Sequence, residues 1–291
     1  MAVATIIGAA GRMGSWFADF LNSNDYSIIV CDRDELAARK LARKNGFSFE
    51  KDPTEAAKHG DVVLLTTPTP TTKKLLKRIA PHIPKTTLLV EISSVKHPLL
   101  ATLEQLRKCG FSVLSIHPMF GHGAGRPTRR RVIIAQQPPN NRTATRFIST
   151  FKKTGVKIVH TDLANHDRMI AVTLALPHFM NFAMIDTMKT IGIKAGKARN
   201  FGGTTFNLQL IIAEALYHER LTNEASIVSD NPYSLEILDS FAKEVNRIRA
   251  AARQRGQTRL LHGLRGGAKY VHKDAMFPSA YDLFNAAVQA T

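Results

Sequence analysis
Along the first half of the chain, continuous apolar runs alternate with stretches whose apolar residues recur every three or four positions. The runs are "VATIIG" (3–8), "YSIIVCD" (26–32), "DVVLLTT" (61–67), "TTLLVEI" (86–92), "FSVLSI" (111–116) and "RVIIAQ" (131–136). They are hydrophobic throughout rather than at every second residue, which suits strands covered on both faces. Between them, "GSWFADFLN", "ELAARKLARKNG", "TTKKLLKRIAPHI" and "HPLLATLEQLRKCG" carry helical spacing, and they often end in Gly or Pro, residues that stop helices. The repetition predicts an α/β domain with a doubly wound sheet, the Rossmann arrangement.

After "VKIVH" (156–160) the pattern changes to long helical stretches with little strand character: "HDRMIAVTLALPHFMNFAMIDTMKTIG", "TTFNLQLIIAEALYHERL" and "YSLEILDSFAKEVNRIRAAARQRG". The expected organisation is a dinucleotide-binding Rossmann domain over residues 1–161 followed by an all-α domain over 162–291. The helical part has more apolar residues than a few helices packed on one face would need, so helices of two subunits are expected to pair in a homodimer. Residues 256–291 read weakly.

Composition narrows the class. At 291 residues, 44% hydrophobic and 22% charged, the chain resembles a soluble globular protein rather than a disordered one. The first residues lack the basic start of an export signal, and no uninterrupted apolar run approaches the roughly 18 residues of a membrane span. Cys31 and Cys109 form no CxxC, and no histidine cluster has metal-ligand spacing, so a cytoplasmic protein without a metal is expected. The net charge of +17 is uneven: residues 1–160 hold 25 Lys/Arg against 11 Asp/Glu, and the remainder 15 against 12. "RPTRRR" (126–131) is the densest basic run. Such a basic face can bind nucleic acid or attract small anions, but for a charge run alone a solvated face is the favoured reading.

"IIGAAGRMG" lies between the first strand and the first helix, where small residues let the backbone approach a pyrophosphate and a helix N-terminus offers free N–H groups. Gly8, Ala9, Ala10, Gly11, Arg12, Met13 and Gly14 are therefore candidate cofactor contacts, with Thr67 and Pro68 after a later strand. Asp32, 24 residues past Gly8, stands where a carboxylate takes the ribose hydroxyls and repels a 2′-phosphate, favouring NAD; Arg33 beside it would instead suit NADP. The bland alternative is that Asp32 caps the following helix.

"SIHPMFG" (115–121) puts His117 directly after a strand, where ligands sit in open α/β sheets. A histidine there can take the proton of a hydroxyl while the carbon loses hydride. By position alone a structural histidine fits equally well.

Taken with "DVVLLTTPTPTT", "EISSVKHPLL" and "HDRMIAVTLALPHF", these residues resemble the prephenate dehydrogenase family of tyrosine biosynthesis. The resemblance implies NAD(P)-dependent oxidative decarboxylation of prephenate to 4-hydroxyphenylpyruvate, with arogenate as the alternative substrate. It implies His117 as the catalytic histidine, Ser94 beside the substrate hydroxyl and nicotinamide, and Lys96, His166, Asp167 and His178 around the substrate. Without it, Ser94 reads as a helix cap and His178 as a buried helix histidine. Many members carry an arginine that clamps a substrate carboxylate, at a place where this chain has Ala215. Arg220, Lys96 or Arg126 are the candidate replacements. No chorismate mutase or tyrosine-sensing segment is recognised, so a monofunctional enzyme is expected. Dihydrodipicolinate reductase and the β-hydroxyacid dehydrogenases share parts of the pattern without their substrate motifs. A nucleotide-sensing nucleic-acid binder is the remaining alternative, and no recognition motif accompanies its charge.

Overall fold
The computed structural model describes residues 1–125, 127–253 and 257–290. The chain divides into two compact units, Met1–Ile170 and Ala171–Thr291.

The first unit follows the alternation of the sequence: β1 (Ala2–Ile7), α1 (Arg12–Asn22), β2 (Tyr26–Cys31), α2 (Glu35–Asn45), β3 (Ser48–Phe49), α3 (Pro53–Lys58), β4 (Val62–Leu65), α4 (Thr69–Ile79), β5 (Leu88–Glu91), α5 (Leu100–Lys108), β6 (Ser112–Pro118), β7 (Arg131–Gln136), α6 (Arg142–Lys153), β8 (Lys157–His160) and α7 (Leu163–Ile170). The strands form one sheet in the order β3-β2-β1-β4-β5-β6-β7-β8. Every pairing is parallel except β6 with β7, which runs antiparallel with a register shift at Ser115/Ile116. A shift of this kind re-aims the side chains beside it, and His117 follows at once.

The all-apolar runs are explained by two cores. Val62 and Leu64 of β4 join Phe17 and Leu21 of α1 and Phe147 and Phe151 of α6 on one face. Val63 and Leu65 join Ala56 and Ala57 of α3, Leu76 and Ile79 of α4 and Leu103 of α5 on the other. Successive strand residues point to opposite faces, so a strand covered on both sides has no polar positions to spare. Each such side chain contributes about 1.5–3 kcal/mol relative to exposure.

The second unit is helical: a π-helical turn (Ala171–Ala175), then α8 (Leu176–Thr190), α9 (Ala195–Phe201), α10 (Thr204–Tyr217), α11 (Leu221–Ser229), α12 (Ser234–Arg253), α13 (Gln257–Val271) and α14 (Ala280–Gln289). Within the weakly patterned tail the described residues form α13 and α14, neither of which buries a residue. Helix α10 is apolar around its circumference yet buries only Leu210 and Ala213, leaving Ile211, Ile212 and Tyr217 exposed. No uninterrupted apolar run reaches the length of a membrane span, but one helical stretch does so by average hydropathy. The helical stretch Leu163–Thr190, with mean hydropathy 1.4 over its most apolar window, is long and apolar enough by length and composition alone.

Candidate active site
The carboxyl ends of β1, β2, β4, β5 and β6 carry the candidate residues of the first unit except His166 and Asp167, which stand on α7. Gly8 follows β1 at φ +93°, a left-handed conformation that favours glycine, and a side chain there would press on Thr66. Gly14 is more constrained, since a Cβ would lie 2.1 Å from the Gly8 carbonyl oxygen. The turn is tied to β2 by the Gly8 and Ala9 N–H groups on the Cys31 carbonyl (2.9 and 3.2 Å), and Thr66 Oγ1 donates to the Gly8 carbonyl at 3.0 Å. Gly11 opens α1 without a side-chain cap, leaving that helix terminus without a competing acceptor from its cap residue.

Asp32 belongs to this loop rather than to the helix after it. Its Oδ2 accepts the Ala10 N–H at 2.9 Å and its Oδ1 the Asp34 N–H at 3.0 Å. The cap of α2 is Asp34, whose Oδ1 accepts the Ala37 N–H at 3.0 Å. Arg33 is exposed beside it. Thr67 shares a 2.8 Å hydroxyl contact with Thr72, and Pro68 opens α4.

His117 ends the next part of the rim. It is 5% exposed, and its Nδ1 lies 3.1 Å from Nε2 of His166. His166 Nδ1 in turn lies 2.8 Å from Asp167 Oδ1. These two residues stand on α7, which Asp162 caps by accepting the Asn165 N–H at 2.8 Å. The Asp167 carboxylate also takes the Lys96 N–H at 2.9 Å and the His97 N–H at 2.6 Å, fixing α7 to the turn after β5.

This chain of contacts settles where the protons are. A carboxylate only accepts, so His166 donates from Nδ1 and presents a lone pair at Nε2. His117 must then donate from Nδ1, and its Nε2 is left as a lone pair. Burial holds the His117 pKa well below its ordinary value, and the neighbouring His166 and Lys96 push the same way. His166 is lowered chiefly by burial, against the hydrogen bond it donates to Asp167. Both rings are neutral near pH 7, the state in which an imidazole can act as a base.

Lys96 and Glu91 form a second, fully buried cluster. Lys96 Nζ donates to Glu91 Oε1 and to the Ile116 carbonyl, both at 2.7 Å. Glu91 also accepts from the Ser115 hydroxyl and, at 2.8 Å, from the Ser93 N–H. Burial lowers the Lys96 pKa and Glu91 opposes it. The cluster clamps β5 to β6 immediately before His117. Lys96, His166 and Asp167, expected around the substrate, are thus each buried and bonded within the protein: the ammonium is already committed to Glu91, and the other two stand behind His117. Ser94 is half-buried, makes no hydrogen bond through its hydroxyl among the described residues, and caps nothing, because Asp167 takes the N–H groups it would have capped.

In the second unit His178, near the start of α8, is buried with Nδ1 2.8 Å from Glu224 Oε2, a close contact without hydrogen-bond alignment. Arg220 is exposed at the N-terminus of α11, one turn before Glu224. Arg126 lies outside the described residues. Sequence reading missed Glu91, Ser115 and Glu224. Glu91 had a visible sign, an acidic residue inside an otherwise apolar strand run.

A glycine turn at the first strand, an acidic residue at the end of the second and an uncapped first helix define the first unit as a nucleotide-binding α/β domain. Two family models agree: "Prephenate dehydrogenase, nucleotide-binding domain" matches residues 17–159 and "Prephenate dehydrogenase, dimerization domain" residues 162–266. The chain belongs to the prephenate dehydrogenase family. A probable arogenate/prephenate dehydrogenase of Methanocaldococcus jannaschii is 26% identical over 93% of this chain, which spans 61% of that relative's length. Among solved structures, a prephenate dehydrogenase from A. aeolicus, in complex with hydroxyphenyl propionate and NAD+, superposes with a TM-score of 0.76 at 17% identity, covering 94% of this chain and 99% of that one. A Synechocystis arogenate dehydrogenase gives 0.71 at 17% identity, covering 94% and 99%.

Proposed function
We propose that this chain catalyses the NAD(P)-dependent oxidative decarboxylation of prephenate to 4-hydroxyphenylpyruvate, with arogenate as the second reading. The observation that carries it is the unengaged Nε2 lone pair of His117, held at the strand ends by the His166–Asp167 pair. The glycine turn fits a dinucleotide, since its close backbone approach leaves no room for a side chain at Gly14. Gly8 to Gly14 would hold the pyrophosphate, Thr67 and Pro68 would line the site, and Asp32 would take the ribose. The Asp32 carboxylate favours NAD over NADP. Bound there, the nicotinamide supplies the acceptor for the hydride leaving C4 of the substrate.

His117 Nε2 takes the proton of the ring hydroxyl as that hydride departs and a carbonyl develops. The imidazolium formed keeps its Nδ1 proton on His166, whose own proton rests on Asp167, so the new charge faces a carboxylate through one ring. Loss of the C1 carboxylate as carbon dioxide then restores aromaticity and supplies the driving force. The protein's task is orientation and a base rather than a strong acid. Ser94, with its hydroxyl uncommitted, donates to the substrate oxygen. His178 and Arg220 belong to the substrate side, Arg220 as the cation for a carboxylate. The exposed apolar residues of α10 support a homodimer through the helical unit, and a cytoplasmic location goes with this reading.

Purified protein with NAD and prephenate should produce NADH at 340 nm. His117→Asn should lower turnover by orders of magnitude while NAD affinity stays within about twofold, the usual signature of losing a general base. Absence of oxidation of both prephenate and arogenate with both NAD and NADP would refute the assignment.

A further inference from the structure
Trp16 is the chain's one tryptophan. It stands one helical turn beyond the start of α1, two residues past Gly14. Its ring stacks on Phe20 at 4.9 Å and meets the edge of Phe17 at 5.0 Å, both on its own helix. Its other contacts reach a different part of the chain. Phe120, three residues after His117, packs against the indole at 5.1 Å, and the indole Nε1–H donates to the Gly125 carbonyl at 3.1 Å across 109 positions of sequence.

These contacts hold the connection between β6 and β7. At its near end Met119 N–H donates to the Arg131 carbonyl at 2.9 Å, and Ala124 N–H to the Gly121 carbonyl at 3.1 Å. Gly121 and Gly123 have nothing near the place of a side chain, and Gly125 adopts φ +55° and ψ −128°, which aims its carbonyl at the indole. Trp16 itself is only half-buried, with one edge on an open groove of about 560 Å³ that Asp19, Asn24, Thr128 and Lys153 also line. The indole is therefore a surface fastening rather than a core side chain.

We infer that Trp16 is a positioning residue: it fastens the Met119–Gly125 segment to the helix whose N-terminus receives the dinucleotide phosphates, and so fixes the loop that leaves the catalytic histidine. The inference rests on the function proposed above for His117 and the glycine turn, and it assigns to α1 a second task. One face of the helix start serves the cofactor, and the next turn serves the substrate loop.

Two variants test it. Trp16→Phe keeps an aromatic ring and removes the N–H donor; Phe120→Leu keeps Trp16 and loosens its partner. Trypsin can cut this connection after Arg129 and Arg130, and its rate there reports fastening without any substrate. In both variants that cleavage should quicken about threefold to tenfold, the scale of one net hydrogen bond or ring contact, while cleavage elsewhere is unchanged. In Phe120→Leu the emission of Trp16 should shift to the red and quench more readily with acrylamide. KM for the oxidised substrate should rise by a similar factor, with the dissociation constant for NAD within about twofold. Unchanged cleavage and unchanged emission would overturn the inference, as would a rise in KM matched by an equal loss of NAD affinity and a lower melting temperature. A wild-type protein that oxidises nothing would refute the proposed function, whereas the cleavage and emission readings would still decide the fastening.

Discussion
Replacing Asp167 by Asn changes one carboxylate oxygen to an NH2 group and should disable His117 across two hydrogen bonds. In the wild type Asp167 receives the His97 N–H at 2.6 Å, the Lys96 N–H at 2.9 Å and the His166 ring at 2.8 Å. Asparagine has one acceptor and one donor group for the same three partners. Turning its NH2 toward His97 would leave buried backbone N–H groups facing donors, at about 1–3 kcal/mol each. The amide oxygen therefore stays on the backbone and the NH2 faces His166. His166 must then accept at Nδ1 and donate from Nε2, so His117 accepts at Nδ1 and carries its proton on Nε2. The base is present with its proton on the wrong nitrogen. General-base catalysis contributes roughly 10²–10⁴ in rate, about 2.7–5.5 kcal/mol of barrier. Measured by cofactor reduction at 340 nm at pH 8, kcat/KM of Asp167→Asn should fall within that range, with NAD affinity within about twofold. Raising the pH should not restore it, because the exchange of tautomers consumes no proton. A variant within about threefold of the wild type would refute the relay.

The remaining predictions concern charge. Because burial lowers the His117 pKa, the folded protein binds fewer protons there than the unfolded chain, so this contribution to stability is complete above about 6.5 and is lost as pH falls below it. The acid limb of kcat/KM should likewise have its midpoint below 6.5, and a midpoint above 7 would contradict the buried neutral ring. Lys96→Met leaves Glu91 buried without its cation and should cost about 3–5 kcal/mol in denaturant unfolding, much of it recovered when Glu91→Gln is added. Asp32→Ser should raise the NADP-to-NAD ratio of kcat/KM by about tenfold, since Arg33 then stands beside the ribose without the competing carboxylate; an unchanged ratio would remove Asp32 from cofactor selection.

How much of this was readable in advance depended on how local each feature is. The long strands announced themselves because burial on both faces removes polar positions, whereas β3 has only Ser48 and Phe49 to show and was not visible. The reversal of β7 left no mark, since an apolar run reads the same in either direction. Helix α6, "RTATRFISTFKK", was missed because threonines and basic residues surround Phe147 and Phe151. His117 was legible as a residue at the carboxyl end of a strand, although β6 runs on through it to Pro118 rather than stopping before it. The relay was not: Asp167 meets Lys96 across 71 positions and His166 meets His117 across 49, distances at which only the folded chain brings residues together. Lys96 read as a substrate contact for a different reason: its partner Glu91 is only five residues away, but the pattern of the run does not show that the two side chains fold back on each other in the interior. Asp32 and Asp34 differ by two residues, and only the geometry tells the loop acceptor from the helix cap.

Because β7 runs against β6, its first residue lies beside the last residues of the strand that carries the histidine, with Pro118 paired to Val132 and Lys157 of β8 paired to Arg131. Arg129, Arg130, Arg131 and Lys157 are all exposed there. A single strand reversal thus delivers a cationic tract to the mouth formed by the carboxyl ends of the strands, instead of to the opposite end of the sheet, where a parallel β7 would have begun. Encounter with anions at this mouth is gathered by the field of the sheet's own margin and should weaken as added salt shortens the reach of that field.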